Sequence, residues 1–274
     1  MKNNITTSIK LLIVFIGASI IFFSCKYQEI VDNTYPSQKI YMPAAVYGNF
    51  VINTVALPVG NVPTPGSTYR YLVDTIARQF IVPLGVYRSG INNDGAFTVN
   101  IAINTDTITK LQAVAGKLPV GTLLLPSSEY SIVSSVDMKN GAEIAEFDLK
   151  INLDSMLVNF PGKNYALGIS ISSPERATNP LLATTIVVIG TVMMKPTASF
   201  NAVVSSNVKV WNFTSTSLMT IGYKWNYGDG SPADTIKAPV HTYTASGTYT
   251  VTLSALGITR HQNQSIATKV ITVN

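Results

Sequence analysis

The chain reads as all-β, with two tandem Ig-like β-sandwich domains, and three observations predict this. Apolar residues alternate at period two in AFTVNIAINT, where Phe97, Val99, Ile101 and Ile103 share one face, and again in AEFDLKINL. Clusters of Gly, Pro, Asn and Asp separate such runs at short intervals, the spacing of sandwich strands rather than of strand–helix–strand units. Only 12% of the 274 residues are charged, and the abundant Thr and Val suit a pleated surface, where β-branched side chains pack well.

Ahead of the strands lies a segment of another kind. Lys2 and Lys10 lead into LLIVFIGASIIFF (11–23), then Ser24 and the single cysteine, Cys25. A basic start, a short apolar stretch and a small residue at the cut predict a signal peptide over 1–24. A membrane span would need about 20 apolar residues. A lone cysteine at the cut resembles the bacterial lipoprotein signal, although Phe22 stands where leucine is commonest. The resemblance implies lipidation of Cys25 and anchoring in a membrane, where more than one acyl chain makes attachment stable. The same residues also admit a free cysteine after an ordinary signal peptide, or an uncleaved anchor.

Cleavage before Cys25 leaves 250 residues and takes Lys2 and Lys10 with it, so the formal charge falls from +5 to +3. No run of Lys or Arg follows and the aromatic residues are not interleaved with basic ones, which excludes a nucleic-acid footprint. With Cys25 lipidated no disulfide can form, and stability has to come from core burial.

In order, residues 25–38 are a polar tether. Residues 39–194 form a first sandwich domain whose strands are KIYMPAAVYG, TYRYLVDT, ARQFIVPLGVYRSG, AFTVNIAINT, SEYSIVSS, AEFDLKINL, YALGISISS and TTIVVIGTVMM. Their alternation predicts half-buried antiparallel strands. Asn92-Asn93-Asp94-Gly95 is a turn of residues that accept positive φ. DTITKLQAVAG (106–116) departs from period two: Ile108, Leu111 and Val114 recur at helical spacing up to Gly116, predicting one short helix. Lys195-Pro196-Thr197 reads as a linker, and 196–274, with a turn every 8–12 residues, as a second, smaller Ig-like sandwich.

The second domain carries the sharpest motif. Trp225-Asn226-Tyr227-Gly228-Asp229-Gly230-Ser231 is followed by His241-Thr242-Tyr243 and by Gly247-Thr248-Tyr249-Thr250-Val251-Thr252-Leu253. Trp225 and Tyr227 fall on one face of a strand, Gly228 and Gly230 supply positive φ, and Asp229 can bond neighbouring amides. The order and spacing closely resemble the PKD (polycystic-kidney-disease) domain, with Asn226 and Tyr227 in place of its usual Asp and Phe. The resemblance implies that these residues are structural and that His241 orders the strand beside Tyr243. The Gly-Asp-Gly turn also admits phosphate or Ca²⁺ binding, against which stand the single carboxylate and the missing Walker lysine and EF-hand spacing.

In the first domain, Tyr41-Met42-Pro43, Leu125-Pro126-Ser127-Ser128-Glu129-Tyr130-Ser131 and Tyr165-Ala166-Leu167-Gly168-Ile169-Ser170-Ile171-Ser172 are similar to the N-terminal domain of unknown function in Bacteroidetes surface lipoproteins. Gly168 stands where that family commonly has proline. The resemblance implies an outer-membrane, cell-surface protein of a glycan-foraging bacterium, and the acidic Glu29 and Asp32 after Cys25 fit surface export, with the periplasmic-facing leaflet as the alternative. A PKD domain beside it implies a spacer or interaction module.

No histidine precedes residue 241, so the first domain has no His-based nucleophile or metal site. Carboxylate candidates for glycoside hydrolysis include Glu143, Glu146, Asp148 and Asp154, but Glu146, Asp148 and Lys150 alternate with Phe147, Leu149 and Ile151 and read as the solvated face of a strand. His261 stands alone in a polar segment. The expectation is therefore no enzyme, no metal and no cofactor. Sugars pack their apolar faces on aromatic rings, and Tyr69, Tyr71 and Tyr87 are the candidates. Tyr69 and Tyr71 would share one side of an extended strand, with buried strand tyrosines as the alternative. The function expected is binding or presentation of a glycan, or of a partner in a polysaccharide-uptake assembly. A structural spacer, and more remotely a glycoside hydrolase, are the alternatives.

Overall fold

Alternating burial along the strands decides where the cores sit. In the computed structural model the described residues are 36–55, 64, 69–160 and 162–274. Residues 1–24, read from the sequence as a signal peptide, and Cys25, Glu29 and Asp32 lie outside them. Gln38–Asn274 forms one compact unit, all-β, built as two sandwiches.

The first sandwich contains β1 (Lys39–Tyr41), β2 (Asn49–Ile52), β3 (Leu72–Asp74), β4 (Gln79–Arg88), β5 (Phe97–Ile103), helix α1 (Thr105–Gln112), β6 (Thr122–Leu124), β7 (Tyr130–Ser131), β8 (Ser135–Met138), β9 (Ile144–Asn152), β10 (Asn164–Ser172), β11 (Ala177–Thr178) and β12 (Thr184–Gly190). One sheet runs β11-β1-β4-β9-β7 with β3 on β4, the other β2-β12-β10-β5-β8 with β6 on β10. Phe80, Val82 and Leu84 of β4 and Phe147, Leu149 and Ile151 of β9 point into the shared core, as do Val99 and Ile101 of β5. Glu146 and Asp148 are exposed on the outer face, as period two requires.

Three expectations need correction. The strands are not all antiparallel: β1 pairs parallel with β11, β6 with β10 and β2 with β12. KIYMPAAVYG is not one strand, because Pro43 opens a 3₁₀ turn, Pro43–Tyr47, that ends at Gly48 with φ 68. The helix stops at Gln112 rather than near Gly116. Asn104 caps it by accepting the Thr107 amide at 3.0 Å, and Ile108 and Leu111 pack on Ala166, Ile186 and Val188. Val114, half exposed at 50%, is not part of that cluster, so burial no longer sustains the helix. By covering the outside of β10 and β12, α1 buries both faces of those strands, which accounts for their near-continuous apolar runs.

The second sandwich contains β13 (Phe200–Val204), β14 (Val210–Ser215), β15 (Gly222–Asn226), β16 (Val240–Thr242), β17 (Gly247–Gly257) and β18 (Arg260–Val273). Its sheets are β13-β14-β16 and β15-β17-β18, closing on Phe200, Phe213, Trp225, Tyr227, Tyr243, Val251 and Leu253. Lys195–Thr197 is not a free tether: Thr197 and Leu218 exchange backbone hydrogen bonds of 3.0 Å. The β17–β18 turn reaches the first sandwich, where Ile258 joins its core and the Asn263 amide donates to the Met194 carbonyl at 2.7 Å.

Candidate functional site

Two strand ends and one turn build a polar groove at the β7 edge of the first sandwich. Pro126 leads into the 3₁₀ turn Ser127–Glu129, after which Tyr130 and Ser131 pair with Ile151 and Lys150 of β9. At the end of β9, Asn152 Oδ1 accepts the amides of Asp154 (3.0 Å) and Ser155 (3.2 Å) and turns the chain into a π-helical turn, Ser155–Asn159. Such turns recur at functional sites. The Ser155 hydroxyl donates to Glu129 Oε2, fixing the two segments to each other.

Arg78 closes the far side. Asp74 Oδ1 accepts the Ile76 and Ala77 amides at 2.9 and 2.7 Å, and Arg78 follows at φ 55, in the left-handed region that non-glycine residues rarely adopt. Its Nε donates to both Asp154 oxygens, 3.1 and 3.3 Å, its Nη2 pairs with Asp154, and its Nη1 donates to Gln262 Oε1 of β18 at 2.7 Å. The guanidinium thus ties the groove to the second sandwich.

The resulting cavity is about 330 Å³, lined by Arg78, Gln79, Ser128, Glu129, Tyr130, Lys150, Asn152 and Asp154. A second hollow of about 400 Å³, lined by Ile132, Val133, Val136, Glu146 and Asp148, shares Ser131 and Lys150 with it. Together they form an elongated trough, polar at one end and apolar at the other. Hydrogen bonding from Arg78 holds the Asp154 carboxyl below the usual carboxylate range, so it stays ionised and acceptor-only. Burial pushes the Tyr130 phenol up, keeping it a neutral donor beside a half-buried ring.

The tyrosines singled out from sequence fall elsewhere. Tyr71 is a core residue, 6% exposed, stacked on Phe80 with centroids 4.8 Å apart and donating its hydroxyl to the Val55 carbonyl at 3.1 Å. Its ring faces are closed to any ligand. Tyr69 is half-buried and precedes β3, so no exposed Tyr69–Tyr71 platform forms. Tyr87 is half-buried on the outer face of β4, its ring 5.9 Å from that of Tyr41 on the neighbouring strand. Sequence reasoning missed Arg78, Glu129 and Tyr130 as a site. The available signal was the Leu125–Ser131 motif, which contains two of them.

The motif of the second sandwich is knit internally. Trp225 donates its indole N–H to the Ile236 carbonyl at 2.9 Å and meets Phe200 edge-on. Asp229 Oδ1 accepts the Ser231 hydroxyl at 2.6 Å, and Oδ2 lies 2.7 Å from His241 Nε2. Burial pushes the Asp229 carboxyl up, but the hydrogen bonds from Ser231 and His241 outweigh it and the net displacement is downward. His241 stacks on Tyr227 at 3.8 Å and abuts Tyr243 at right angles, and the Tyr243 hydroxyl donates to the Tyr227 carbonyl at 3.1 Å. Gly228, φ 79, lies so close to β17 that a Cβ would sit 2.7 Å from the Thr250 carbonyl oxygen. Gly230, φ 80, needs glycine for its backbone alone. Among the described residues no group of His, Cys, Asp and Glu is placed to hold a metal.

Comparison with known proteins follows this division. A family model described as a "-like, N-terminal domain" matches residues 35–178, and a PKD domain model matches residues 194–273. No curated protein matches the chain. Among solved structures, the PKD1 domain of the Vibrio cholerae metalloprotease PrtV is 26% identical over 29% of this chain and 98% of that one, with a TM-score of 0.27. An auxiliary nutrient binding protein from Bacteroides thetaiotaomicron is 14% identical over 81% of this chain and 69% of its own, at a TM-score of 0.37. A protein of unknown function from Bacteroides ovatus is 11% identical over 85% of each chain, at 0.38. With more than half of its length matched by the first of these family models, the chain belongs to the family defined by that N-terminal domain and carries a PKD domain at its C-terminal end.

Proposed function

We propose that the chain is a lipid-anchored protein of the outer-membrane surface that binds polysaccharide through the β7-edge groove without transforming it. The observation that carries the reading is the trough itself. A half-buried tyrosine ring, Lys150, Asn152 and two carboxylates converge along an open, elongated surface, which matches a ligand with alternating apolar faces and hydroxyl edges. Glu129 and Asp154 line it together, yet the pair is poorly suited to hydrolysis. A glycosidase needs one carboxyl as proton donor; Arg78 keeps Asp154 ionised and so out of that role, and the Ser155 hydroxyl ties up one oxygen of Glu129.

The test is affinity electrophoresis of the full chain in mild detergent through gels containing neutral plant and fungal polysaccharides. Retardation by at least one glycan is expected, with Tyr130→Ala weakening it about tenfold, equivalent to about 1.4 kcal/mol. Absence of retardation across the panel favours the spacer reading. Release of reducing sugar by the wild type, abolished by Glu129→Gln, would replace binding by hydrolysis. The anchor is tested separately: Cys25→Ala is expected to move the protein from the membrane to the soluble fraction. Persistence in the membrane would identify residues 11–23 as an uncleaved anchor.

A further inference from the structure

Charge is distributed unevenly between the two sandwiches. Residues 196–274 contain five Lys or Arg and two Asp, a formal +3, which equals the whole excess remaining after signal cleavage. Both aspartates are spent internally. Asp229 is held by Ser231 and His241, and Asp234 Oδ1 accepts the amides of Thr235 and Ile236 at 2.6 and 3.0 Å. Three basic side chains, Lys224, Arg260 and His261, line one cavity of about 560 Å³ together with the half-buried Tyr223, the exposed Thr235 and the buried Leu256. Lys224 and His261 belong to different strands, β15 and β18, and Arg260, at φ 58, is the first residue of β18. None of the three side chains makes a hydrogen bond or ion pair among the described residues, where the ion pairs are Arg78–Asp154 and His241–Asp229.

We propose that this cavity is a second binding site, for an anionic polysaccharide bearing carboxylate or sulfate groups. Arg260 supplies a planar fork suited to either oxyanion and Lys224 a point charge. Tyr223 and Leu256 offer apolar surface to a sugar ring, and Thr235 a hydroxyl partner. Unpaired cations at a surface cavity attract anions over a screening length that shrinks from about 30 Å at 0.01 M salt to about 8 Å at 0.15 M. Binding here is therefore salt-sensitive. It stands independently of the β7-edge groove, none of whose lining residues it shares.

The experiment compares the full chain in mild detergent in gels containing polygalacturonate, chondroitin sulfate or uncharged dextran. The expected result is retardation by one or both polyanions and not by dextran, reduced at least tenfold by Lys224→Ala/Arg260→Ala. The Lys110→Ala/Lys117→Ala control, which removes the same charge from the first sandwich, and Tyr130→Ala are expected to bind as wild type. The two polyanions separate a carboxylate from a sulfate preference. Equal loss in the Lys110/Lys117 control would reduce the effect to net charge and overturn the site, as would loss in Tyr130→Ala alone. No retardation by either polyanion would also overturn it, as would binding only to phosphatidylglycerol vesicles.

Discussion

Trp225→Ala is expected to unfold the second sandwich. The indole is 0% exposed, lies against Phe200 and Phe213 and donates to the Ile236 carbonyl. Its backbone amide, donating to Asp234 at 2.8 Å, also pins the 228–236 segment to β15. Truncating a buried tryptophan removes its burial free energy and leaves a cavity, at about 3–5 kcal/mol, and here an orphaned carbonyl adds to that. A small domain is stable by about 5–15 kcal/mol, so one side chain accounts for a large part of the margin. Urea unfolding followed by circular dichroism reads the effect. Trp211, half-buried on β14, is the contrast, and Trp211→Ala is expected to cost about 1 kcal/mol. Similar losses for the two variants would mean that the core is not organised around Trp225.

That core was legible because its information is local. Trp225 and Tyr227 alternate within one strand, and the glycines at 228 and 230 mark a turn, so face and turn follow from a few consecutive residues. The Asp229–His241 contact spans only 12 residues yet went unread, because the turn pattern assigns Asp229 to neighbouring amides and names no side-chain partner on β16. The β7-edge groove depends on information of another kind. Arg78, Glu129 and Asp154 are far apart in sequence and meet because β4 pairs with β9 and β9 with β7. Alternation assigns a residue to a face but names neither the strand's partner nor its direction, which is also why the three parallel pairs went unread. Tyr71 shows the same limit. Period two puts Tyr69 and Tyr71 on one side, but only the packing against Phe80 says that Tyr71 belongs to the interior. Asp148 and Lys150 were rightly placed on a solvated face, and that face turns out to border the trough.

Arg88→Ala is expected to be the most damaging single change in the first sandwich. Arg88 is 3% exposed, at the end of β4, and among the described residues no carboxylate pairs with its guanidinium. Four carbonyls do so instead: Nη1 donates to Asn93, Asp94 and Gly95 at 2.8, 2.9 and 2.9 Å, and Nη2 to Lys139 at 2.6 Å. The guanidinium also lies 5.0 Å from the centre of the Phe97 ring, where a cation is attracted to the ring face. The 92–95 turn is therefore organised around a charge from a neighbouring strand and bonded to the β8–β9 turn, through the Gly141 amide to the Asn93 carbonyl at 2.8 Å and the Gly95 amide to Asn140 Oδ1 at 2.7 Å. Removing the fork leaves the Asp94 and Gly95 carbonyls without a donor among the described residues, while the Asn93 and Lys139 carbonyls keep the Gly141 and Ala142 amides. Hydrogen bonds to a charged group contribute about 1.5–3 kcal/mol each when deleted singly, and a shared donor is not additive, so a loss of about 3–4 kcal/mol is expected. Arg88→Lys keeps the charge but not the planar fork and cannot span all four acceptors, so about half that loss should remain. Urea midpoints rank the three proteins, and hydrogen exchange localises the cause. The Gly95 and Gly141 amides should lose protection in Arg88→Ala well before the β4–β9 ladder does. Uniform loss across the sandwich would instead make Arg88 a packing residue of β4, and a Lys variant as stable as wild type would show that charge alone holds the turn.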